Sequence, residues 1–540
     1  MNGNSPTRIF YALLIGILLI STAPAAINAA DEGSFVRPPT ATPFSDGQEE
    51  PIQQKAPEVS IMAGLTGLGS TGSGFVAAAD WLRTQQTPAG CFPWTPGGAC
   101  TSNTQGPSAR GLLKAYQHSA TIASREDAIA TGDYLVPNYP RTYSDGDPRF
   151  ATHDPLFLEE LSQVTTDATY ASFVQTYFWD KLTAGTYGES NDMDATAFGA
   201  AVVSGRASQG IVELSPWDLS ATAIAAHVAG ETAIRDALMA QVLAGLNATT
   251  TADNDYDVIG LAGAVWASAV TGYNLDPTSG RYASQNSTAE LAALLASWQR
   301  SSDGAWLWST TADPNDITNG DLQTTAFAVM ALNAFNPTSY ATEIARGVAF
   351  IRSLQQTSGQ FLIYPTASPT ANGSVESHAE ALTALVAAAP GTVFVDDNWA
   401  TGVNPGDDPD GSGPALAYGY DAFATISEGV DAVTTSGTVN VAAGTYVEQV
   451  VINRDVTLLG SGSDAIIQAL DVVPTCFTTS VAQHPIVCVK DGATATIDGF
   501  TIDGAGKGNA NYRFVGVGFH NAGGTIQHTT IKDIRDTPFS

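Results

Sequence analysis

Three stretches of this chain share one pattern, and no other feature restricts its folding as much. Residues 75–82 run into Gln85 and Gln86, then Gly90 and Phe92. Residues 291–295 run into Trp298 and Gln299, then Gly304 and Trp306. Residues 350–354 run into Gln355 and Gln356, then Gly359 and Phe361. Each is a helical run that ends in a glutamine, a turn glycine and an aromatic. A second kind of segment follows each one, over 108–119, 322–335 and 375–388, rich in Ala, Leu and Thr and nearly free of charge. A helix that is apolar on most faces is a buried helix. Alternating amphipathic and nearly all-apolar helices cannot bury their surfaces alone, so neighbours must stack and close. The pattern predicts two concentric helical layers, an α/α toroid, over residues 72–390. The glutamine amide is suited to carbonyls left free at a helix end, and the aromatic to packing over the glycine turn. Between about 205 and 272 the alternation blurs, and the layers of 217–230, 231–246 and 256–271 stay unordered.

The run 346–361 resembles the QW-type repeat of the terpenoid cyclase and prenyltransferase-like toroid superfamily, and the resemblance spans about 72–390. It implies a ring of helices. It leaves the activity open, because that barrel serves cyclases, protein prenyltransferases and non-catalytic binding modules.

After Pro390 the composition changes. Residues 391–419 read as a connector rich in Asp, Gly and Pro, and 420–433 contain a short amphipathic helix. From Thr438 onward short β-branched runs alternate with Gly, Asn and Asp, as strands do. Residues 495–503 are echoed by 524–533, which is the self-similarity of successive rungs. A capping helix followed by the run 437–460 resembles the start of a right-handed parallel β-helix of the pectin lyase-like superfamily. The expectation is a multidomain chain, with an all-β unit over 420–540 after the all-α toroid. That unit holds few rungs and no closing cap, so the sequence reads as part of a longer protein.

Arg8 precedes an apolar run, 9–20, too short to span a bilayer comfortably, and small residues follow. Residues 1–30 therefore read as a secretory signal, and 31–71 as a disordered linker. Four cysteines in two local couples, Cys91 with Cys100 and Cys476 with Cys488, favour two disulfides in an exported chain. Acids outnumber bases 53 to 22 among the 540 residues, for a net charge of -31. That charge repels phosphate backbones and anionic lipid, so no nucleic-acid partner and no membrane insertion after signal cleavage are expected.

Several residues are candidates for chemistry. Asp192 and Asp194 resemble the DxDD-type acid of class II terpene cyclases, with Asp194 as the proton donor. Ala195 stands where that motif ends in an acid. The pattern Asp192-x-Asp194-x-Thr196 also aligns with Asp321-x-Gln323-x-Thr325, as if both opened inner helices by N-terminal capping. Export argues against an isoprenoid substrate, and no Cys and His set supports the zinc site of a prenyltransferase. His118, His227, Glu376, His378 and Glu380 are candidates to line the toroid cavity; a hydrogen-bonded core is the other reading of the histidines. Asp407, Asp408 and Asp410 offer oxygen ligands for calcium, or a solvated turn. No other cofactor is expected. Tyr512, Phe514 and Phe519 could stack on sugar rings or pack a core. The resulting expectation is a secreted or cell-surface protein that engages extracellular polysaccharide or another surface polymer, without a complete catalytic set. The alternatives are a lyase or pectin esterase-like enzyme acting through the β-helix, and a terpenoid cyclase using Asp194.

Overall fold

A computed structural model describes residues 74–535 apart from 102–103, 139–140, 143–147, 150–152, 189–191, 204–215 and 252–256. The expected signal segment and linker lie outside the described residues. Among the described residues, fourteen α-helices form the first unit, beginning with α1 Phe75–Gln85, α2 Gln105–Ser119, α3 Ile122–Asn138, α4 Asp154–Thr165, α5 Ala168–Val174, α6 Asp180–Ala184 and α7 Ala195–Val203. These are followed by α8 Pro216–Ala229, α9 Thr232–Ala248, α10 Val258–Thr271, α11 Thr288–Ser297, α12 Leu322–Phe335, α13 Ala341–Ser353 and α14 Ser374–Ala387.

Six of these close a ring: α2 packs on α4, α4 on α8, α8 on α10, α10 on α12, α12 on α14, and α14 back on α2. The others stand outside, with α1 and α3 against α2, α9 against α8, α11 against α10 and α13 against α12. The expected α/α toroid is thus present, and the blurred region resolves into inner α8 and α10 with outer α9. One expectation is corrected. Asp321 opens an inner helix, but the parallel motif at Asp194 opens α7, which packs on α9 outside the ring. Its place in the ring is closed because α4 meets α8 directly, and Thr196, Ala197 and Ala200 are exposed.

The repeated glutamine and glycine join neighbouring outer helices. Gln86 Nε2 donates to the carbonyls of Gly90 (3.3 Å) and Asp127 on α3 (2.7 Å). Gln299 Nε2 donates to Gly304 (2.9 Å) and Glu343 on α13 (2.8 Å). Gln355 Nε2 donates to Gly359 (3.2 Å) and to Gly74 (2.7 Å), ahead of α1. The last outer helix is thereby tied to the first. Gly90, Gly304 and Gly359 have φ of 91°, 82° and 92°, and an added Cβ would strike the carbonyls of Ala130, Arg346 and Ala77 respectively. Only glycine meets both demands.

The second unit is built of strands that pair in parallel, apart from the antiparallel pairing of 477–478 with 482–483: β1 Thr392–Val395, β2 Ala422–Phe423, β3 Gly437–Val441, β4 Gly444–Val447, β5 Val450–Ile452, β6 Val456–Gly460 and β7 Ala465–Gln468. It continues with β8 Phe477–Thr478, β9 Ala482–Lys490, β10 Thr494–Asp498, β11 Thr501–Asp503, β12 Phe514–His520, β13 Gly523–Gln527 and β14 Thr530–Lys532. From β3 onward the strands are dealt among three sheets, with orders β13-β10-β6-β3-β1-β2 and β14-β11-β7-β4, and β5 and β12 flanking β9. Side chains stack in register in columns that are buried along most of their length and exposed at Ile526 and Ile531. Val393, Val439, Leu458, Ile497 and Ile526 form one, and Tyr446, Ile467, Ile502 and Ile531 another. Strand β1 pairs with β3, so this unit takes its first strand from within the stretch read as connector. The expected helix, α15 (Ile426–Ala432), covers the first turn of the stack and buries Ile426 and Val430. Gly429 allows the approach, because a Cβ there would crowd Val393, Val395 and Val439. Both expected disulfides are formed, Cys91–Cys100 and Cys476–Cys488.

Candidate binding cleft between the two units

The two units meet at the first turn of α1. Gly74 precedes it and offers no side-chain cap, so its free N–H groups need an acceptor from elsewhere. Asp431, at the end of α15, supplies it. Its Oδ2 accepts from the Phe75 N–H at 2.5 Å and its Oδ1 from Val76 at 3.4 Å. A carboxylate at a helix N-terminus also opposes the helix dipole favourably. Arg352 Nη1 of α13 and Arg454 Nη2, which follows β5, lie 3.7 and 3.8 Å from the same carboxylate. Arg454 Nη1 also meets the Asp431 carbonyl at 2.9 Å and the His118 ring of α2. Burial and then Arg454 hold His118 well below the ordinary histidine range, so its ring is neutral. Thr435 Oγ1 donates to the His118 carbonyl at 3.0 Å.

Beside this contact lies a cavity of about 370 Å³. One wall is the seam of the toroid, with Asp80, Ala349, Arg352 and Gln355. The other is Tyr418, Phe423, Glu428, Gln449, Asn453 and Lys490. Arg352 sits over the Phe423 ring, 5.6 Å from its centre. Burial pushes Glu428 up to about 7, and the neighbouring Glu448 adds to the effect against Thr425 and Arg352. Glu448 is itself raised by burial, although it accepts from the Ile426 and Ser427 N–H groups, both at 2.8 Å.

The residues expected from sequence do not come together at this cleft. Asp194 is exposed and caps α7, accepting from Ala197 N at 2.8 Å, and Asp192 is exposed beside it. A proton donor to an alkene needs burial to hold its proton, and neither side chain is buried. His227 is exposed on inner α8, with Nδ1 3.5 Å from Arg235. His378 is fully buried; its Nδ1 accepts from Phe361 N at 3.1 Å and its Nε2 meets the Ala78 carbonyl at 2.9 Å. Glu376 and Glu380 are buried on α14, and the Trp94 indole donates to Glu376 at 3.1 Å. Asp407 accepts from Asn404, and Asp408 accepts from the N–H groups of Asp410 and Gly411. Asp410 turns back to Ala415 N. These are turn bonds within one loop, and among the described residues no three His, Cys, Asp or Glu side chains converge as a metal site. Tyr512 and Phe519 are exposed and Phe514 is buried, with Phe519 in register with Val489 and Ile452 of the neighbouring strands.

The cleft residues were not singled out from sequence. Arg352 was the available signal, as a lone cation in a mostly apolar outer-helix turn. A buried acid toroid cluster was missed as well. Arg110 of α2 donates to Glu160 of α4 at 2.8 and 3.0 Å, and Lys114 lies 3.1 Å from the same carboxylate. Burial lowers Arg110 to about 10 and Lys114 to about 8. Next to it, burial raises Glu159 to about 7 despite its bond from Trp179.

No family model matches the chain, and no curated protein does. Among solved structures it is similar to a polysaccharide lyase at 10% identity and a TM-score of 0.38, over 58% of this chain and 97% of that one. It is also similar to a family 88 glycosyl hydrolase from Bacteroides vulgatus, at 10% identity and a TM-score of 0.39, over 58% and 98%. A type II terpene cyclase from Scytonema shows 13% identity and a TM-score of 0.38, over 58% and 95%. Likenesses this distant assign no activity here, and the closed ring rests on its own packing.

Proposed function

We propose that the protein is exported and engages an extracellular polysaccharide in the cleft between its two units. The observation that carries this reading is the lining of the cavity. Its volume falls in the range of small-ligand sites. Tyr418 offers a ring face, and Asn453 and Ser353 offer hydrogen-bonding groups beside it. Sugars present apolar ring faces edged by hydroxyls, which such a mixture suits. Two disulfides favour an oxidising compartment. Among the described residues no helix is long and apolar enough to cross a membrane. We read the second unit as a right-handed parallel β-helix of the pectin lyase-like kind, whose first turn supplies one wall of the cleft.

The test is affinity electrophoresis of the purified chain through gels carrying neutral and acidic polysaccharides. Retardation by at least one polymer, lost in Tyr418→Ala and Asn453→Ala, supports the reading. Retardation that both variants retain places the site elsewhere, and retardation by none removes the reading.

One observation favours a second, catalytic reading. Glu428 lies in the cleft with its carboxyl raised to about 7, where a group can both give and take a proton. A polysaccharide lyase or esterase would use such a group. Release of unsaturated uronides or methanol by the wild type, abolished in Glu428→Gln, would establish it.

A further inference from the structure

We infer that the cleft is occupied by the protein's own lead-in, the uncharged segment 59–68, and that a polymer binds by displacing it. The occupancy stands on the chain's own geometry, and the competition rests on the polysaccharide reading above. Gly74, the first described residue, lines the cavity. One amide holds its backbone on both sides. The Gly74 N–H donates to Gln355 Oε1 at 2.9 Å, and its carbonyl accepts from Gln355 Nε2 at 2.7 Å. Its φ is 96°, and an added Cβ would lie 2.8 Å from the Asp431 carboxylate. Glycine alone lets the chain pass between Gln355 and Asp431 there. The lead-in therefore joins α1 at the cleft wall itself, where the two units meet.

The chemistry of the segment suits that of the cleft. Charges in the lead-in end at Glu58, and residues 59–73 carry none. Val59, Ile61, Met62, Leu65 and Leu68 are its large apolar residues, set among Ala, Gly, Ser and Thr. The charged groups of the walls have partners already. Asp431 lies 3.7 Å from Arg352 and 3.8 Å from Arg454, Asp80 lies 3.0 Å from Arg83, and Asp491 lies 3.3 Å from Lys490. Glu428 accepts from Thr425 Oγ1 at 2.8 Å. What the walls leave for an occupant is the half-buried apolar surface of Val76, Ala77, Pro405, Tyr418 and Val451. Covering such surface favours an apolar, uncharged partner. Leu68 and Leu65 stand six and nine residues before Gly74, a reach of about 20 and about 30 Å for extended chain. So short a tether holds the segment at an effective concentration on the order of millimolar, at which weak apolar contacts suffice to fill the cleft.

The experiment places a benzoylphenylalanine photocrosslinker at Leu65 or Leu68 of the full chain and maps the products by mass spectrometry, with the same probe at Phe44 as a control. The Leu65 and Leu68 probes are expected to join, within one chain, peptides that carry Tyr418 or Val451 on the far wall, and the Phe44 probe is not. Crosslinks to other faces, to the cleft of a second copy, or to nothing overturn the occupancy. Leu65→Asp combined with Leu68→Asp puts two charges on the segment. That variant should bind whichever polymer retards wild type severalfold more tightly, and an equal or weaker affinity overturns the competition. Binding of no polymer by either protein removes the polysaccharide reading, and the crosslink alone then decides the occupancy.

Discussion

Phe361, Trp306 and Phe92 each donate a backbone N–H to a side chain on an inner helix: His378 Nδ1, Thr325 Oγ1 and Gln105 Oε1, at 3.1, 3.0 and 2.7 Å. His378 is therefore one of three equivalent braces, and burial drops it to about 3. It stays neutral and spans two backbone groups. His378→Ala should cost about 2–4 kcal/mol, from the cavity and two orphaned groups, read from urea unfolding, and should leave polymer binding by the folded fraction intact. The sequence offered the histidine but not its role, because both partners are distant along the chain. Asp194 was legible as a cap, through the local spacing of Asp and Thr. Glu428 supports a pH prediction. Its folded value, about 7, exceeds the ordinary 4.5. Between those values the folded state holds a proton that the unfolded chain has released, so stability falls as pH rises through that window. Arg352 and Glu448 face it, and Asp431 shares its helix. Glu428→Gln should gain thermal stability relative to wild type at pH 8, with the gain shrinking toward pH 4.5. An offset that is the same at both pH values would refute the assignment.

At the scale of elements, the three glycines after the outer helices separate a turn requirement from a packing one. Gly359 has a positive φ and also faces the Ala77 carbonyl, whereas Gly97, at φ 75°, has open space where a Cβ would go. Gly359→Ala should therefore destabilise by about 2–4 kcal/mol and Gly97→Ala by about 1 kcal/mol, compared by thermal or urea denaturation. Equal losses would mean that the helix contact contributes nothing. The repeat was readable because helix, glutamine, glycine and aromatic lie within about one turn of each other. What the glutamine bonds was not readable. Its partner is the next outer helix, 41 to 45 residues on for Gln86 and Gln299, and 281 residues back for Gln355. The strands after Thr438 were legible from β-branched alternation, whereas β1 was read as the opening of the connector, although the β-helix resemblance reached back to about Val393. Its four residues sit among Asp and Pro, and pairing with β2 and β3 makes them a strand.

For the molecule as a whole, the cleft had no local signature, since its walls come from stretches near 75, 350, 420 and 450 that only the joined fold assembles. Asp431 is the clearest link between the units. Asp431→Ala removes the acceptor for the first turn of α1 and leaves Arg352 and Arg454 without their carboxylate. Loss of about 2 kcal/mol from the cap alone is expected, and calorimetry should show one transition becoming two as the units uncouple. A single transition at the wild-type midpoint would show that the contact does not couple them. The same contact has a consequence for how the chain is made. The Phe75 N–H waits for a side chain 356 residues downstream. At ribosomal rates of about 5–20 residues per second, that is about 20–70 s of synthesis. The first helix of the outer layer thus receives its cap only after the whole toroid has been made, and until then its open end is a natural place for a chaperone to hold.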